Sequence, residues 1–422
     1  MNSPYLYKPY FFLFIWSIFG FIASNFSSGS FFQYTKIHSS ASGSIFSSQK
    51  IQEAEEIIKN EYYKFSEKPS IDIENSMITS LVESLGDKHS SYFPPKEAKE
   101  FTEVLSGDFE GIGAIIDEHI RGIIIRKIFP NSPAKKAGLK DGDIIVKVGE
   151  NSLLGLTAEE AVKKIRWPKG SKIIITYLRW ESSDIKTTEV TRDTILIPST
   201  SEKMFTGALS DIGYIEVAFF GEHTTDEFRK SLQNITASWA KAIILDFRNN
   251  GWWYLDTAVN LLSFFLPDGT LAVTTKETDP SKNLSLYTQK TDITNTDIPI
   301  IMLVNNLSAS ATEIMAWAFQ DYKRAIIIGE KSYGKWSVQE PFIMSDGSMM
   351  KITIAKWYTP KDKNIDHDGI TPDIAIPLFE RDFTAQYDRQ LENAKKIIDT
   401  ILSSNISYDA TIEKMKTTDF TQ

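Results

Sequence analysis

The chain has 422 residues, 42% hydrophobic and 24% charged, with a formal net charge of -9 and no cysteine. This is globular material for two or three domains, not a disordered chain. The acidic balance without any basic block argues against nucleic acid as a partner, and the missing cysteines exclude disulfides, a thiolate nucleophile and a cysteine-built zinc site.

Tyr10 to Ala23, YFFLFIWSIFGFIA, is almost unbroken apolar sequence, shorter than the roughly 20 residues of a full membrane span. It reads as the apolar core of a signal peptide within residues 1–26 or, extended through Phe26, as an uncleaved membrane anchor. Either reading puts the remainder outside the cytoplasm, in the cell envelope. Residues 27–48 are rich in Ser and Gly and read as a tether. KIQEAEEIIKNEYYKF then places Ile51, Ala54, Ile57 and Ile58 on one helical face. A second helix is expected from Asp72 to Leu85, ended by Gly86. Residues 49–104 form this N-terminal helical region.

Between Phe109 and Arg192 the text changes. FEGIGA (109–114) is followed by IIIRKIFPNSPAKKAGLKDGDIIVKVGE, alternating strands around a Pro-Ala, Ala-Gly-Leu, Gly-Asp order. LTAEEAVKKI is an amphipathic helix and KIIITYLR a strand. The segment resembles a PDZ domain, residues 105–192, with its carboxylate-binding loop on FEGIGA. A chain terminus is an anion, and successive backbone N–H groups at Ile112, Gly113 and Ala114 are the candidates to hold it.

From residue 193 to 378 strands alternate with helices. DIGYIEVAFFGE, AKAIILDFRNN and PIIMLVNN are strands, the latter two buried and ending in polar residues, where site loops gather in an α/β sheet. TTDEFRKSLQNI and LDTAVNLLSFFLPDG are helices. Residues 379–403 read as one charged helix with a Leu/Ile face, within a C-terminal helical region that runs to residue 422.

PIIMLVNN delivers LSASATEI, and GEKSYGKWSVQ follows, with Lys335 25 residues after Ser310. A serine hydroxyl needs a base, and a lysine can serve if burial disfavours its charged form. Ser310 could instead be only a helix N-cap, and Ser308 competes for both roles; Lys335 could be a solvated surface lysine. The five histidines, His38, His89, His119, His223 and His367, are scattered; none pairs with Ser310, and no HExxH spacing calls for a metal. GEKSYGKW approaches a P-loop but lacks the Ser/Thr that would hold magnesium. No G-x-S-x-G elbow is present. No cofactor is expected.

Both motifs are similar to those of the carboxy-terminal processing (tail-specific) proteases, GSASASEI and GEKTFGKGSVQ, with matching spacing. SLGDKHSSYF resembles that family's LGDPYSSYL segment, and HDGITPDI its closing GIxPDI turn. The resemblance covers roughly residues 50–400. It implies a mixed α/β fold: a crotonase/ClpP-like protease core with an inserted PDZ domain. It implies Ser310 as nucleophile, Lys335 as base, Gln339 as support, and oxyanion donors at the Ala311 N–H and the loop at Trp252. Glu313 fits the motif and is read as structural. The implied activity is serine endopeptidase cleavage of exported or unfolded proteins near their tails. Its partners are proteins or peptides with free C-termini, and the membrane through the N-terminal segment; an oligomer is compatible with this.

The chain departs from the family where LDLRNNPGGLL becomes LDFRNNGWWYL. Trp252 and Trp253 replace glycines whose loop must come close to substrate. Trp167, Trp317 and Trp336 also stand where the family has glycine, and Trp180 and Trp239 where it commonly does; Trp357 stands where an aromatic is expected. A UGA codon read as glycine in the native cell, but translated conceptually as tryptophan, accounts for this and predicts UGA at Trp167, Trp252, Trp253, Trp317 and Trp336 and UGG at Trp357. If the tryptophans are real, the cleft is crowded and the alternative is a non-catalytic PDZ adaptor, a pseudoprotease.

Overall fold

The structure, a computed structural model, describes residues 48–63, 73–106, 108–129, 131–165, 170–179, 184–196, 198–251, 255–293, 297–364, 368–385, 387–404, 406–416, 418 and 420. The expected export segment and tether, and Trp167, Trp180, Trp252 and Trp253, lie outside them.

Helices α1 (Ser48–Glu61) and α2 (Ile73–Glu83) lead into strand β1 (Ser91–Phe93) and helix α3 (Pro95–Ser106). Gly86, at φ +66°, turns the chain after α2, as its position predicted. Of the face expected on α1, Ile57 (55%), Ile58 and Ala54 are exposed and Ile51 is half-buried. Strand β2 (Asp108–Gly111) follows.

The next unit is a β-rich domain with its own core. Its strands are β3 (Ala114–His119), β4 (Gly122–Ile128), β5 (Ile144–Val148), β6 (Asn151–Ser152), β7 (Lys172–Leu178) and β8 (Ile185–Thr191). Two helices accompany them, α4 (Pro133–Lys136) and α5 (Ala158–Ile165). The sheet order is β3-β4-β5-β7-β8, with β6 on β5. Ile123, Ile125, Ile145, Leu153, Ile175 and Val190 form the centre of its core. Strand β9 (Asp193–Leu196) then pairs antiparallel with β2, so that Gly111 faces Asp193.

The larger unit is built on a six-stranded sheet. Its strands are β10 (Thr200–Met204), β11 (Ile212–Val217), β12 (Ala242–Asp246), β15 (Ile300–Val304), β16 (Ile326–Gly329) and β19 (Ile374–Ala375), hydrogen-bonded in that order. β11 onward is parallel; β10 runs antiparallel at the edge. β12 and β15 are buried throughout, as expected for strands covered on both faces. Helices α6 (Thr224–Ala237), α7 (Leu255–Leu262) and α8 (Ala311–Asp321) contribute to one core. Helices α10 (Arg389–Ser404) and α11 (Tyr408–Lys416) pack on the opposite face.

A second sheet closes over α7 and α8. It holds β13 (Leu271–Glu277), β14 (Leu284–Tyr287), β17 (Ser337–Ile343) and β18 (Met349–Tyr358). β18 pairs with β1, β13 and β17.

One boundary differs from expectation. Residues 379–403 are two helices, α9 (Glu380–Ala385) and α10, not one. Asp388 takes the N–H of Leu391 at 3.0 Å and starts α10 afresh, while Arg389 turns back to the Asp382 carboxylate at 2.7 Å. An Asx cap and a buried ion pair thus override the continuous helical periodicity.

Candidate active site

Three loops leave the carboxyl ends of β12, β15 and β16 and meet, as the topology of an open parallel sheet dictates. The β12 loop is tied to the β15 loop. Asn305 Nδ2 donates to Asn249 Oδ1 at 2.8 Å, and Asn249 N donates back to Asn305 Oδ1 at 2.9 Å. The Asn250 carbonyl accepts from Ala309 N at 3.0 Å and Thr312 Oγ1 at 2.9 Å. The β16 loop joins through Tyr333 N, which donates to the Ser308 carbonyl at 3.0 Å.

Ser308 and Ser310 separate cleanly. Ser308 Oγ donates to the Phe247 carbonyl at 2.8 Å and accepts from Asn305 N at 2.9 Å, so its hydroxyl is committed to holding the loop. Ser310 sits at the N-cap of α8, yet its buried Oγ makes no hydrogen bond among the described residues. Its backbone is at φ 57°, ψ -112°, a region an L residue enters only when its surroundings force it. Ala311 is the first residue of α8, and its N–H is among the first four, which have no partner within a helix.

Glu313, read from sequence as structural, is the hub of the site. It is 0% exposed. Its Oε2 accepts from Ser310 N at 2.8 Å and Lys335 N at 2.9 Å. Its Oε1 accepts from Ser332 Oγ at 2.5 Å and Gly334 N at 2.7 Å. One carboxylate thus brings the backbones of Ser310 and Lys335 onto a single oxygen. Burial pushes Glu313 up to about 7, against the pull of these hydrogen bonds.

Lys335 is 1% exposed, so the surface reading of this lysine fails. Burial, and after it the nearby Lys351, hold its ammonium well below the ordinary lysine range; Glu313 and Asp87 pull the other way. Its carbonyl accepts from Trp357 Nε1 at 2.9 Å, which uses the one aromatic the sequence reading expected. The chain continues from Lys335 into β17 instead of a helix, so GEKSYGKW is no phosphate cradle. Gln339, fully buried on β17, donates through Nε2 to Ser337 Oγ at 2.8 Å and Thr353 Oγ1 at 3.0 Å.

Ile112, Gly113 and Ala114 lie in the β-rich domain, at the entry to β3. Gly113 has φ +75°, and a Cβ there would stand 2.4 Å from Ser132 Cβ, so both the turn and the close approach demand glycine. Among the replaced glycines, Trp239 has φ 64° just after α6, where Ala240 N and Trp239 N donate to the Ile235 and Thr236 carbonyls. It is 87% exposed. This is the left-handed helix-end position that glycine commonly fills. Trp317 and Trp336, by contrast, are accommodated: Trp317 stacks edge-on against Trp357 at 6.2 Å, and Lys356 Nζ lies 4.2 Å over the Trp336 ring.

The profile of peptidase family S41 matches residues 211–376, and that of the PDZ domain residues 106–178. Over 329 residues the chain is 33% identical to the carboxy-terminal processing protease CtpA of Bacillus subtilis (strain 168), covering 78% of this chain and 69% of that one. Over 355 residues it is 32% identical to the carboxy-terminal processing protease CtpB of the same organism, covering 82% and 71%. A crystal structure from Bacteroides fragilis assigned to the S41 proteases has a TM-score of 0.53 at 16% identity, covering 82% of this chain and 96% of that one, a likeness of fold alone. Together these define a serine-type peptidase that carries a PDZ domain. The chain belongs to peptidase family S41, among the carboxy-terminal processing proteases.

Proposed function

We propose that Ser310 and Lys335 are the nucleophile and general base of an endopeptidase that cuts exported or unfolded proteins after its PDZ domain has taken hold of their C-termini. The observation that carries this reading is the shared Glu313 oxygen, which joins the backbone of an uncommitted, buried serine hydroxyl to that of a lysine buried enough to be neutral. Neutral Lys335 accepts the Ser310 proton as Oγ adds to the scissile carbonyl carbon. The Ala311 N–H, with the loop at residues 252–253, supports the oxyanion. The lysine ammonium returns its proton to the leaving amine, and an acyl-enzyme remains. Water, deprotonated by the same lysine, then attacks that ester and releases Ser310. Gln339 holds the lysine in place. Ile112, Gly113 and Ala114 take the substrate carboxylate.

The apolar run Tyr10–Ala23 supports export to the cell envelope, as a cleaved signal or a retained anchor; sequencing the N-terminus of the protein from native membranes distinguishes the two. For the chemistry, Ser310→Ala and Lys335→Ala should each abolish degradation of an unfolded protein while leaving the circular dichroism spectrum intact. Substantial cleavage by either variant contradicts the dyad. Retention of the unfolded protein without cleavage by the unaltered chain would establish the adaptor instead.

A further inference from the structure

The site holds a second buried lysine that the reaction scheme above does not use. Lys351 is on β18, 1% exposed, and with Lys335 is among the largest fully buried side chains of the molecule. It faces Pro341 of β17 on one side and Ser91 of β1 on the other. Its Nζ lies 5.9 Å from the Phe93 ring centroid and 6.0 Å from that of Phe101, aromatic faces that favour a cation. Two residues along the strand, Thr353 pairs with Gln339 across the sheet and links the site to the chain before β1. Thr353 Oγ1 accepts from Gln339 Nε2 at 3.0 Å and donates to Asp87 Oδ2 at 2.6 Å. Asp87 also accepts from Ser90 Oγ at 2.6 Å and His89 N at 3.0 Å, and Ser90 Oγ accepts from Thr353 N at 3.1 Å. A carboxylate is therefore joined to Gln339 through Thr353, with a second buried lysine two residues along the same strand.

We infer that Lys351 is a positioning residue that acts through Lys335: its ammonium keeps the neighbouring lysine in its proton-accepting form. This rests on the dyad reading above. The groups facing Lys335 are Lys351 from β18, Glu313 from α8, and Asp87 and His89 from the chain before β1. Lys88 stands 5.9 Å over the Tyr333 ring nearby. Glu313 and Asp87 favour a charged Lys335, and Lys351 is the charge that opposes them. Burial pushes Asp87 up, but the Ser90 and Thr353 hydrogen bonds outweigh it and keep this carboxyl ionised. Burial lowers His89 to about 4, with Lys335 as the next cause, so its imidazole is neutral at working pH. Lys351 itself is lowered by burial to about 7, with Asp87 resisting. Its charge therefore appears below about pH 7 and opposes protonation of Lys335 there.

The test is the pH profile of kcat/KM on fluorescently labelled β-casein, an unfolded protein, with the full chain and its Lys351→Met, Lys351→Gln and Lys351→Arg variants, and Lys335→Ala as control. Activity rises with pH as the base loses its proton, so removing the opposing charge moves the acid limb to higher pH. In Lys351→Met the limb should move up by about one pH unit, roughly a tenfold loss on the acid side, with the alkaline plateau kept. Lys351→Gln should do the same, which covers a Met variant that fails to fold. Lys351→Arg should leave the limb in place or lower it. A residue that merely fills space would change the plateau and not the limb. An unmoved limb in the Met or Gln variant, or an Arg limb displaced upward with them, overturns this inference alone when Lys335→Ala is inactive. Activity in Lys335→Ala overturns the dyad and this inference together.

Discussion

Replacing Lys351 by Met should make the protein more stable, by an amount that depends on pH. In the unfolded chain this lysine keeps its proton until roughly pH 10.4, whereas in the fold burial lowers it to about 7. Between these values the unfolded state binds one proton more than the folded state. Stability therefore rises with pH across this window, and the lysine subtracts stability as pH falls towards 7. At pH 8 the native state carries a penalty of about 3 kcal/mol for holding this group neutral. Methionine fills a similar volume without a charge, and Asp87 retains its bonds from Ser90, Thr353 and His89. Urea unfolding followed by circular dichroism at pH 7, 8, 9 and 10 should show Lys351→Met gaining about 2 to 3 kcal/mol at pH 8. The slope of stability against pH should flatten by about 1.4 kcal/mol per unit, the value of one proton. A variant no more stable at pH 8, or one with an unchanged slope, refutes the claim that burial lowers Lys351 to about 7.

Three further outcomes follow from the same geometry. Glu313→Gln sets an amide nitrogen against two of the four donors now facing a carboxylate, so the urea midpoint should report a loss of about 2 to 5 kcal/mol, and cleavage should disappear; a loss below about 1 kcal/mol would deny the hub. Ser310→Gly relieves a backbone at φ 57° and should raise stability by about 1 kcal/mol while abolishing cleavage; a lower melting temperature by calorimetry contradicts the strain. Trp239→Gly should gain about 1 kcal/mol, since the 87% exposed indole sits at a left-handed helix end. Mass spectrometry of the tryptic peptides 231–241 and 249–276 from native cells should already show glycine at 239 and at 252 and 253; tryptophan masses at all three reject the codon reassignment.

Much of the fold was legible because its signals are local. β12 and β15 are continuous apolar runs ended by polar residues, and such runs have few fates other than a covered parallel strand. The burial of Lys335 could be anticipated from the apolar strand before it, but the reason for its neutrality could not. Lys351 sits in MKITIAKWY with nothing to distinguish it from a surface lysine, the default for that residue. Asp87, whose charge acts on it, is far away in sequence and comes near only because β1 pairs with β18. Glu313 was visible as part of a motif, yet its four donors come from two separate stretches of the chain, residue 310 and residues 332–335, and no periodicity encodes such convergence. The choice between Ser308 and Ser310 likewise depends on where a carbonyl, that of Phe247, comes to rest. The break between α9 and α10 was missed because an Asx cap and an ion pair decide it, not the spacing of apolar residues.

The short ribbon of β2 and β9 has a consequence for how the molecule comes apart. The chain leaves for the PDZ domain at Gly111 and returns at Asp193, its partner across the ribbon. The domain is thus a continuous excursion whose two ends are already side by side. A tight turn joining 111 to 193 would leave the order of every strand in the six-stranded sheet untouched. The core of the excursion is drawn from residues 112–190, and both cores of the larger unit from residues outside that span. Each part can therefore melt as its own cooperative unit, so that heat or denaturant would release the PDZ domain and the peptidase unit in two separate steps.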